Sequence, residues 1–136
     1  MRRPNWIEWG MNIALAVSDR SEDPWAKVGA IVMTPEHLIL GLGYNGAPSG
    51  IEIDWSSKDS RRPFVIHAEL NALRMTNPIQ AKDGILITTR HPCAPCLTAI
   101  ASYQIKTVHY LEEAGQTHSD LDHIANTLGI HIRRLV

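Results

Sequence analysis

The spacing of apolar positions divides the first third of the chain into a helix and two strands. In residues 4–19 apolar side chains recur at intervals of three and four, which predicts an amphipathic helix. The predicted buried face contains Ile7, Met11, Ala14, Leu15 and Ser18. Asn5 and Glu8 have the spacing of a capping box. Residues 28–34 and 38–44 are apolar and rich in β-formers, and a short polar turn joins them, which predicts a hairpin.

The rest of the chain alternates helical and strand patterns. Helices are predicted over residues 67–75, 93–103 and 119–128, and strands over residues 84–89, 106–111 and 130–135. Pro92 is expected to begin the second of these helices. Residues 45–63 are polar and rich in turn formers, and they predict a long functional loop. The order α-β-β-α-β-α-β-α-β predicts an α/β fold, a three-layer α/β/α sandwich around a five-stranded mixed sheet.

Length and composition narrow the class of protein. A chain of 136 residues predicts a single domain over residues 1–136. The formal net charge of −1 provides no basic field for long nucleic acid, and no apolar run reaches membrane-spanning length. The N-terminal residues lack the apolar core of a signal peptide. With two cysteines, both used by the motif described next, we expect no disulfide and a cytoplasmic location.

Two short motifs contain the candidate chemistry, His67-Ala68-Glu69 and Pro92-Cys93-Ala94-Pro95-Cys96. One imidazole and two thiolates are ligands that Zn²⁺ prefers, and three protein ligands leave a fourth position for water. Glu69 lies close enough to reach that water without binding the metal, so we predict it as the general acid and base. The order H-x-E…P-C-x-x-C is typical of zinc-dependent nucleobase deaminases.

A C-x-x-C pair by itself is also typical of two non-hydrolytic sites, a redox pair and half of a structural zinc site. A redox role leaves His67 and Glu69 without a function, and a structural site needs a fourth ligand although the chain has only two cysteines. The pattern therefore favours a catalytic zinc. The expected reaction adds water to C4 of a cytosine ring, with Glu69 passing protons to N3 and then to the departing amine.

Longer stretches resemble one family. Residues 43–50 (Gly-Tyr-Asn-Gly-Ala-Pro-Ser-Gly) and 63–72 (Pro-Phe-Val-Ile-His-Ala-Glu-Leu-Asn-Ala) resemble the deoxycytidylate (dCMP) deaminase family, as do residues 28–32 and 108–111. The length is similar to that of phage or bacterial members, so the compartment would be the host cytoplasm if the chain is phage-encoded. Ile51 stands where many relatives have a cysteine, so no second structural zinc is expected.

The resemblance implies a cytidine deaminase-like fold and hydrolysis of dCMP to dUMP and ammonia. It also implies activation by dCTP and inhibition by dTTP, with Mg²⁺ on the triphosphate, in a homo-oligomer such as a hexamer. Asn45 and Ala68 would contact the substrate. A regulatory nucleotide would lie near Gly43, Tyr44, Asn45 and Gly46.

The 5′-phosphate of dCMP needs cationic or hydroxyl partners. Lys27, Arg90 and Tyr110 are the candidates, and the alternative for the two cations is a solvated surface position. Other functions also stay open: a deaminase acting on a nucleoside or on tRNA adenosine, or a non-catalytic regulatory nucleotide-binding protein. The low net charge argues against tRNA, and the presence of Glu69 argues against a regulatory protein.

Overall fold

Five strands form one mixed sheet in the computed structural model, which describes residues 2–114 and 118–136. The strands are β1 (Gly29–Met33), β2 (Ile39–Tyr44), β3 (Ile85–Arg90), β4 (Thr107–Glu112) and β5 (His131–Arg134). Their order is β2-β1-β3-β4-β5. β1 runs antiparallel to β2 and β3, whereas β3, β4 and β5 are parallel. The predicted five-stranded mixed sheet and the hairpin are confirmed.

Helices cover both faces of the sheet. They are α1 (Trp6–Ser18), α2 (Lys58–Arg61), α3 (Ala68–Arg74), α4 (Pro78–Ala81), α5 (Ala94–Ser102) and α6 (His118–Thr127), with a 3₁₀ turn over Arg62–Phe64. One core cluster joins α1 to the sheet through Met11, Ile31 and Ile87. The other cluster joins α3, α5 and α6 to the opposite face. The predicted three-layer sandwich is confirmed. In the described part of the chain, no helix is both long and apolar enough to span a membrane.

β1 is a continuous apolar run because it is covered on both faces. All five of its residues are buried, because α1 covers one face and α3 covers the other. Ala30 and Val32 belong to the α3 side, and Ile31 and Met33 belong to the α1 side. The side chains thus alternate between two cores with the period of two that a strand imposes.

The capping box at the start of α1 is as predicted, but Leu15, which was predicted on the buried face of the helix, is exposed. The Asn5 side chain accepts a hydrogen bond from the Glu8 amide at 2.8 Å, and Glu8 Oε1 accepts one from the Asn5 amide at 3.0 Å. This capping box satisfies two amides that the helix leaves unpaired. Met11 and Ala14 are buried, whereas Leu15 is 40% exposed because it lies at the edge of the face that contacts the sheet.

Three local predictions need correction. Pro92 does not begin α5: Cys93 is the N-cap, and Pro95 occupies the first turn, where a missing N–H costs no hydrogen bond. His67 is the N-cap of α3 and does not lie in its first turn. Residues 45–63 are not wholly irregular, since α2 forms after the Ser57 cap. The short helix α4, capped by Asn77, was not predicted.

Two glycines of β2 allow α3 to lie directly on the strand. A Cβ at Gly41 would be 2.5 Å from the Ala72 carbonyl oxygen, and a Cβ at Gly43 would be 2.5 Å from the Ala72 nitrogen. The missing side chains thus allow close approach of another backbone rather than of a ligand. This contact places the first turn of α3 against the sheet.

Candidate active site

The two motifs meet because each forms the start of a helix. His67 is the N-cap of α3 and Cys93 is the N-cap of α5, and both have extended backbone angles. Cys96 lies in the first turn of α5 and is fully buried. The imidazole and the two thiols converge between the two helix starts.

The three predicted ligands form a compact cluster of donor atoms. His67 Nδ1 lies 3.2 Å from Cys96 Sγ and 3.4 Å from Cys93 Sγ, and all three donors lie within 4.8 Å of one another. Tetrahedral zinc would separate a bound nitrogen from a bound sulfur by about 3.5 Å, given usual Zn–S and Zn–N lengths. No fourth His, Cys, Asp or Glu belongs to this cluster in residues 2–114 and 118–136. The donor set therefore fits a catalytic zinc.

Hydrogen bonds and burial shift the pKa values of the three donors. Hydrogen bonding to Cys96 lowers the pKa of the Cys93 thiol to about 4, with a further contribution from His67. The pKa of the Cys96 thiol is raised, through its hydrogen bond to Cys93 and its burial. Hydrogen bonding to Cys93 raises the pKa of His67. Two adjacent thiolates repel, so a bound cation is what makes both of them stable as ligands.

Glu69 is a buried carboxyl beside this cluster. It lies in the first turn of α3, is 4% exposed and lines the same cavity. Burial raises the pKa of the Glu69 carboxyl, whereas hydrogen bonds from Cys96 and Thr88 oppose this shift. The Thr88 hydroxyl donates to Glu69 Oε1 at 3.0 Å. A buried carboxyl with a raised pKa beside the donor cluster is suited to acid–base catalysis.

The cavity in front of Glu69 has a volume of about 260 Å³. Among the predicted site residues, its lining includes His67, Ala68, Glu69, Cys93, Asn45 and Arg90. The described residues that line the cavity do not include Lys27 or Tyr110. Lys27 is exposed, and Tyr110 is buried with its ring 4.6 Å from the His91 ring. The structure therefore does not bring these two candidates to the cavity.

Asn45 is committed to the protein itself. Its Oδ1 accepts a hydrogen bond from the Val28 amide at 2.8 Å, and its Nδ2 donates to the Ala26 carbonyl at 2.8 Å. A weaker contact of 3.3 Å reaches Asp23. These bonds attach the end of β2 to residues 23–28. Asn45 therefore shapes the cavity wall in addition to lining it.

An ion pair in this wall was not predicted by the sequence. Arg61 lies 3.0 Å from Asp23, whose side chain is 1% exposed, and its guanidinium stacks over the Trp25 ring at 5.2 Å. Both Asp23 and Arg61 line the cavity. The Arg61 Nε atom is buried and has no hydrogen-bond partner among the described residues. Asp23-Pro24 was a detectable turn signal, but no local pattern marks Arg61 among neighbouring polar residues.

The residues predicted to lie near a regulatory nucleotide have different surroundings. The space beside Gly43 is filled by α3, so phosphate cannot approach there. Tyr44 is half-buried, and Asn45 is engaged as described above. Gly46 exchanges backbone hydrogen bonds with Ile66 at 3.1 and 2.9 Å. Within this group, Gly46 is the less crowded glycine, since a Cβ there would make only ordinary contact with the Tyr44 ring, at 3.6 Å.

Comparisons with known proteins agree with this site. Residues 4–112 match the cytidine and deoxycytidylate deaminase zinc-binding region. The deoxycytidylate deaminase of Mycobacterium phage D29 is 35% identical over 130 residues, which cover 84% of this chain and 100% of the phage protein. The mouse deoxycytidylate deaminase is 34% identical over 116 residues, covering 79% of this chain, and the chain spans 65% of the mouse protein's length.

A solved structure has the same fold. The dCMP deaminase of cyanophage S-TIM5, crystallised with dCMP and dUMP, superposes with a TM-score of 0.84 at 31% identity. The match covers 99% of this chain and 100% of the cyanophage chain. Sequence motif, site geometry and full-length similarity therefore agree, and the chain belongs to the deoxycytidylate deaminase family.

Proposed function

We propose that this protein hydrolyses dCMP to dUMP and ammonia. The observation that carries the proposal is the buried Glu69 carboxyl in one cavity with the His67, Cys93 and Cys96 donor cluster. A structural zinc site has no use for a carboxyl that does not bind the metal, whereas hydrolysis of an amine on a pyrimidine ring needs a proton carrier. Family membership and the dCMP complex of the cyanophage relative support the choice of substrate.

The residues of the chain supply binding and proton transfer. His67, Cys93 and Cys96 would hold zinc, which when bound supplies a Lewis acid that makes water nucleophilic at neutral pH. Glu69 accepts a proton as the water oxygen bonds to C4 of the cytosine ring, and delivers it to N3. It then passes the second water proton to the 4-amino group as the C4–N bond breaks. The water oxygen becomes the new carbonyl of dUMP, and the amine leaves as ammonia.

The two helix starts assist this chemistry. Cys93 caps the nine-residue helix α5, whose N-terminal amides favour negative charge on the sulfurs. Ala68 is the first residue of α3 and lines the cavity. Its N–H belongs to the helix-start amides that lack an intrahelical acceptor, so it can donate to the pyrimidine carbonyl. Asn45 also lines the cavity, and its Oδ1, which can accept a second hydrogen bond besides that from Val28, would contact the deoxyribose.

Arg90 and Arg61 are the cationic side chains that we propose for the 5′-phosphate. Both line the cavity, and Arg61 has a buried Nε with its hydrogen-bonding capacity unused among the described residues. Arginine suits phosphate because its planar guanidinium donates several parallel hydrogen bonds. The Asp23 carboxylate neutralises part of the Arg61 charge and orients its guanidinium.

Ammonia release from four nucleosides and nucleotides, and from adenosine in a tRNA anticodon, tests the proposal. With zinc-loaded protein we expect turnover of dCMP, much weaker turnover of deoxycytidine and dCTP, and none of deoxyadenosine. A preference for deoxycytidine would favour the nucleoside deaminase. Turnover of adenosine in a tRNA anticodon would favour the tRNA enzyme. Binding of nucleotides without turnover of any substrate would indicate a regulatory protein and contradict the proposal.

We also propose that the enzyme is a regulated homo-oligomer, such as a hexamer, in the cytoplasm. Exposed apolar side chains on and beside the edge strand β2, at Leu38, Ile39 and Leu42, support self-association. dCTP with Mg²⁺ would activate and dTTP would inhibit, through a site that includes Gly46. Sedimentation and dCMP kinetics with each triphosphate test this. A monomer with hyperbolic kinetics that neither triphosphate changes would contradict it.

A further inference from the structure

Two neighbouring threonines of β3 direct their hydroxyls to opposite faces of the sheet. Thr88 is fully buried, and its Oγ1 lies 3.0 Å from Glu69 Oε1. Thr89 is 3% exposed, and its Oγ1 accepts a hydrogen bond from the Gly29 amide at 3.1 Å. Both residues are threonines, lie on the same strand and are buried, but only Thr88 contacts the Glu69 carboxyl.

We propose that Thr88 is a positioning residue that holds the Glu69 carboxylate in its working orientation. The inference rests on the proposed deaminase function. α3 fixes the Cα of Glu69, but the carboxyl group lies beyond three rotatable bonds. Thr88 is β-branched and belongs to a central strand that is hydrogen-bonded on both sides, so its hydroxyl has little freedom to move. The hydrogen bond from Thr88 on the sheet to Glu69 on the helix therefore restricts side-chain rotations of Glu69 that α3 does not restrict.

The same hydroxyl also contacts the backbone of the cavity lining. Thr88 Oγ1 lies 3.0 Å from the Arg90 carbonyl oxygen and 3.4 Å from the Arg90 amide. A hydroxyl has one proton, so it donates either to Glu69 or to this carbonyl. A carboxylate is the stronger acceptor, which favours donation to Glu69. The contact with Arg90 nevertheless gives a second route by which a change at Thr88 could act, and the experiment must separate the two.

The test compares Thr88→Val, Thr88→Ser and Thr88→Ala with the control Thr89→Val. Valine keeps the branched shape and removes the hydroxyl, and serine restores the hydroxyl without the methyl group. Zinc content and urea unfolding are measured for each variant, and kcat and KM are measured on dCMP and on deoxycytidine. The Thr89→Val control removes a buried hydroxyl of the same strand whose partner is a backbone amide remote from Glu69.

We expect Thr88→Val and Thr88→Ala to lower kcat roughly 10-fold on both substrates while KM stays within about twofold, as for loss of one hydrogen bond to a charged group. Thr88→Ser should recover most of kcat. Thr89→Val should lose stability and keep kcat. Zinc content should be unchanged in all four variants.

Three results for kcat would overturn the role of Thr88: kcat unchanged in the valine variant, no recovery with serine, or an equal kcat loss in Thr89→Val. A rise in KM confined to dCMP would assign the effect to Arg90 and would also overturn it. In each case an active wild-type enzyme leaves the proposed function standing. A zinc-loaded wild type with no turnover of dCMP or deoxycytidine would overturn both proposals.

Discussion

The cavity has two sides that are built in different ways. The catalytic floor (His67, Glu69, Cys93 and Cys96) stands on the starts of α3 and α5, which pack directly against the sheet. The loop wall (Asp23, Trp25, Asn45 and Arg61) consists of segments outside regular strands and long helices. The wall is held by side-chain contacts: the Asp23–Arg61 ion pair, the Trp25 stack and the Asn45 hydrogen bonds.

The difference separates the groups that we propose for chemistry from those that we propose for substrate recognition. Reacting groups need positions that vary little, and helix starts packed on a sheet provide them. Groups that recognise sugar and phosphate can be placed on loops, as long as a buried network holds those loops. Changes to the floor should therefore abolish turnover with little loss of fold, whereas changes to the wall should affect stability and substrate affinity.

The largest effect is expected from a change to the floor at Cys96. Cys96→Ser should remove zinc and reduce dCMP turnover below detection, because a serine hydroxyl does not replace a thiolate ligand. Elemental analysis and ammonia release measure the two losses. Thr98→Ser, on the exposed side of α5, is the control and should keep both properties. Stoichiometric zinc in Cys96→Ser would contradict the assigned donor set.

Glu69→Gln should keep the floor intact and stop its chemistry. The amide keeps the shape of the side chain but cannot carry a proton, so kcat should fall at least about 10²–10⁴-fold while zinc remains bound. Stopped-time assays of dUMP formation measure the loss. Glu36→Gln, an exposed carboxylate of the hairpin turn, should leave kcat unchanged. Turnover near the wild-type rate would exclude Glu69 as the proton carrier.

Asp23→Asn tests whether the wall depends on its ion pair. Removal of one charge leaves Arg61 partly buried without its partner, so the free energy of unfolding should fall by about 3 kcal/mol. Asp59→Asn is the matched control, because Asp59 and Arg62 form an exposed pair that should contribute at most about 1 kcal/mol. Urea titrations of both variants measure the difference. Equal losses would show that burial of the Asp23–Arg61 pair has no special role.

Arg90→Gln should have the smallest effect and the most selective one. Loss of a charge-assisted contact to phosphate should raise KM for dCMP roughly 10-fold and leave KM for deoxycytidine unchanged. Lys27→Gln is the comparison, since Lys27 is exposed and lies outside the described cavity lining. Its KM for dCMP should change less than about twofold. A larger rise in KM for dCMP at Lys27 than at Arg90 would indicate that Lys27, and not Arg90, contacts the phosphate.

The sequence alone predicted the motifs of the floor and the five strands of the mixed sheet. His67, Glu69, Cys93 and Cys96 are recognisable because ligand type and spacing of two or three residues are local properties, and each motif needs only its own helix start to face the other. The hairpin and the Asn5–Glu8 capping box are local for the same reason. Both features depend on residues that are close in the sequence, so the pattern of apolar and polar residues predicts them.

Only the tertiary structure decided the wall and the surroundings of Glu69. Asp23 and Arg61 are separated by 38 positions, and Thr88 reaches Glu69 across 19. Such pairs form because tertiary packing brings distant segments together, and the sequence around either residue does not indicate which residue it will contact. The same reason explains why Gly43 contacts the backbone of α3 and not a phosphate, and why Arg90 faces the cavity while Lys27 does not.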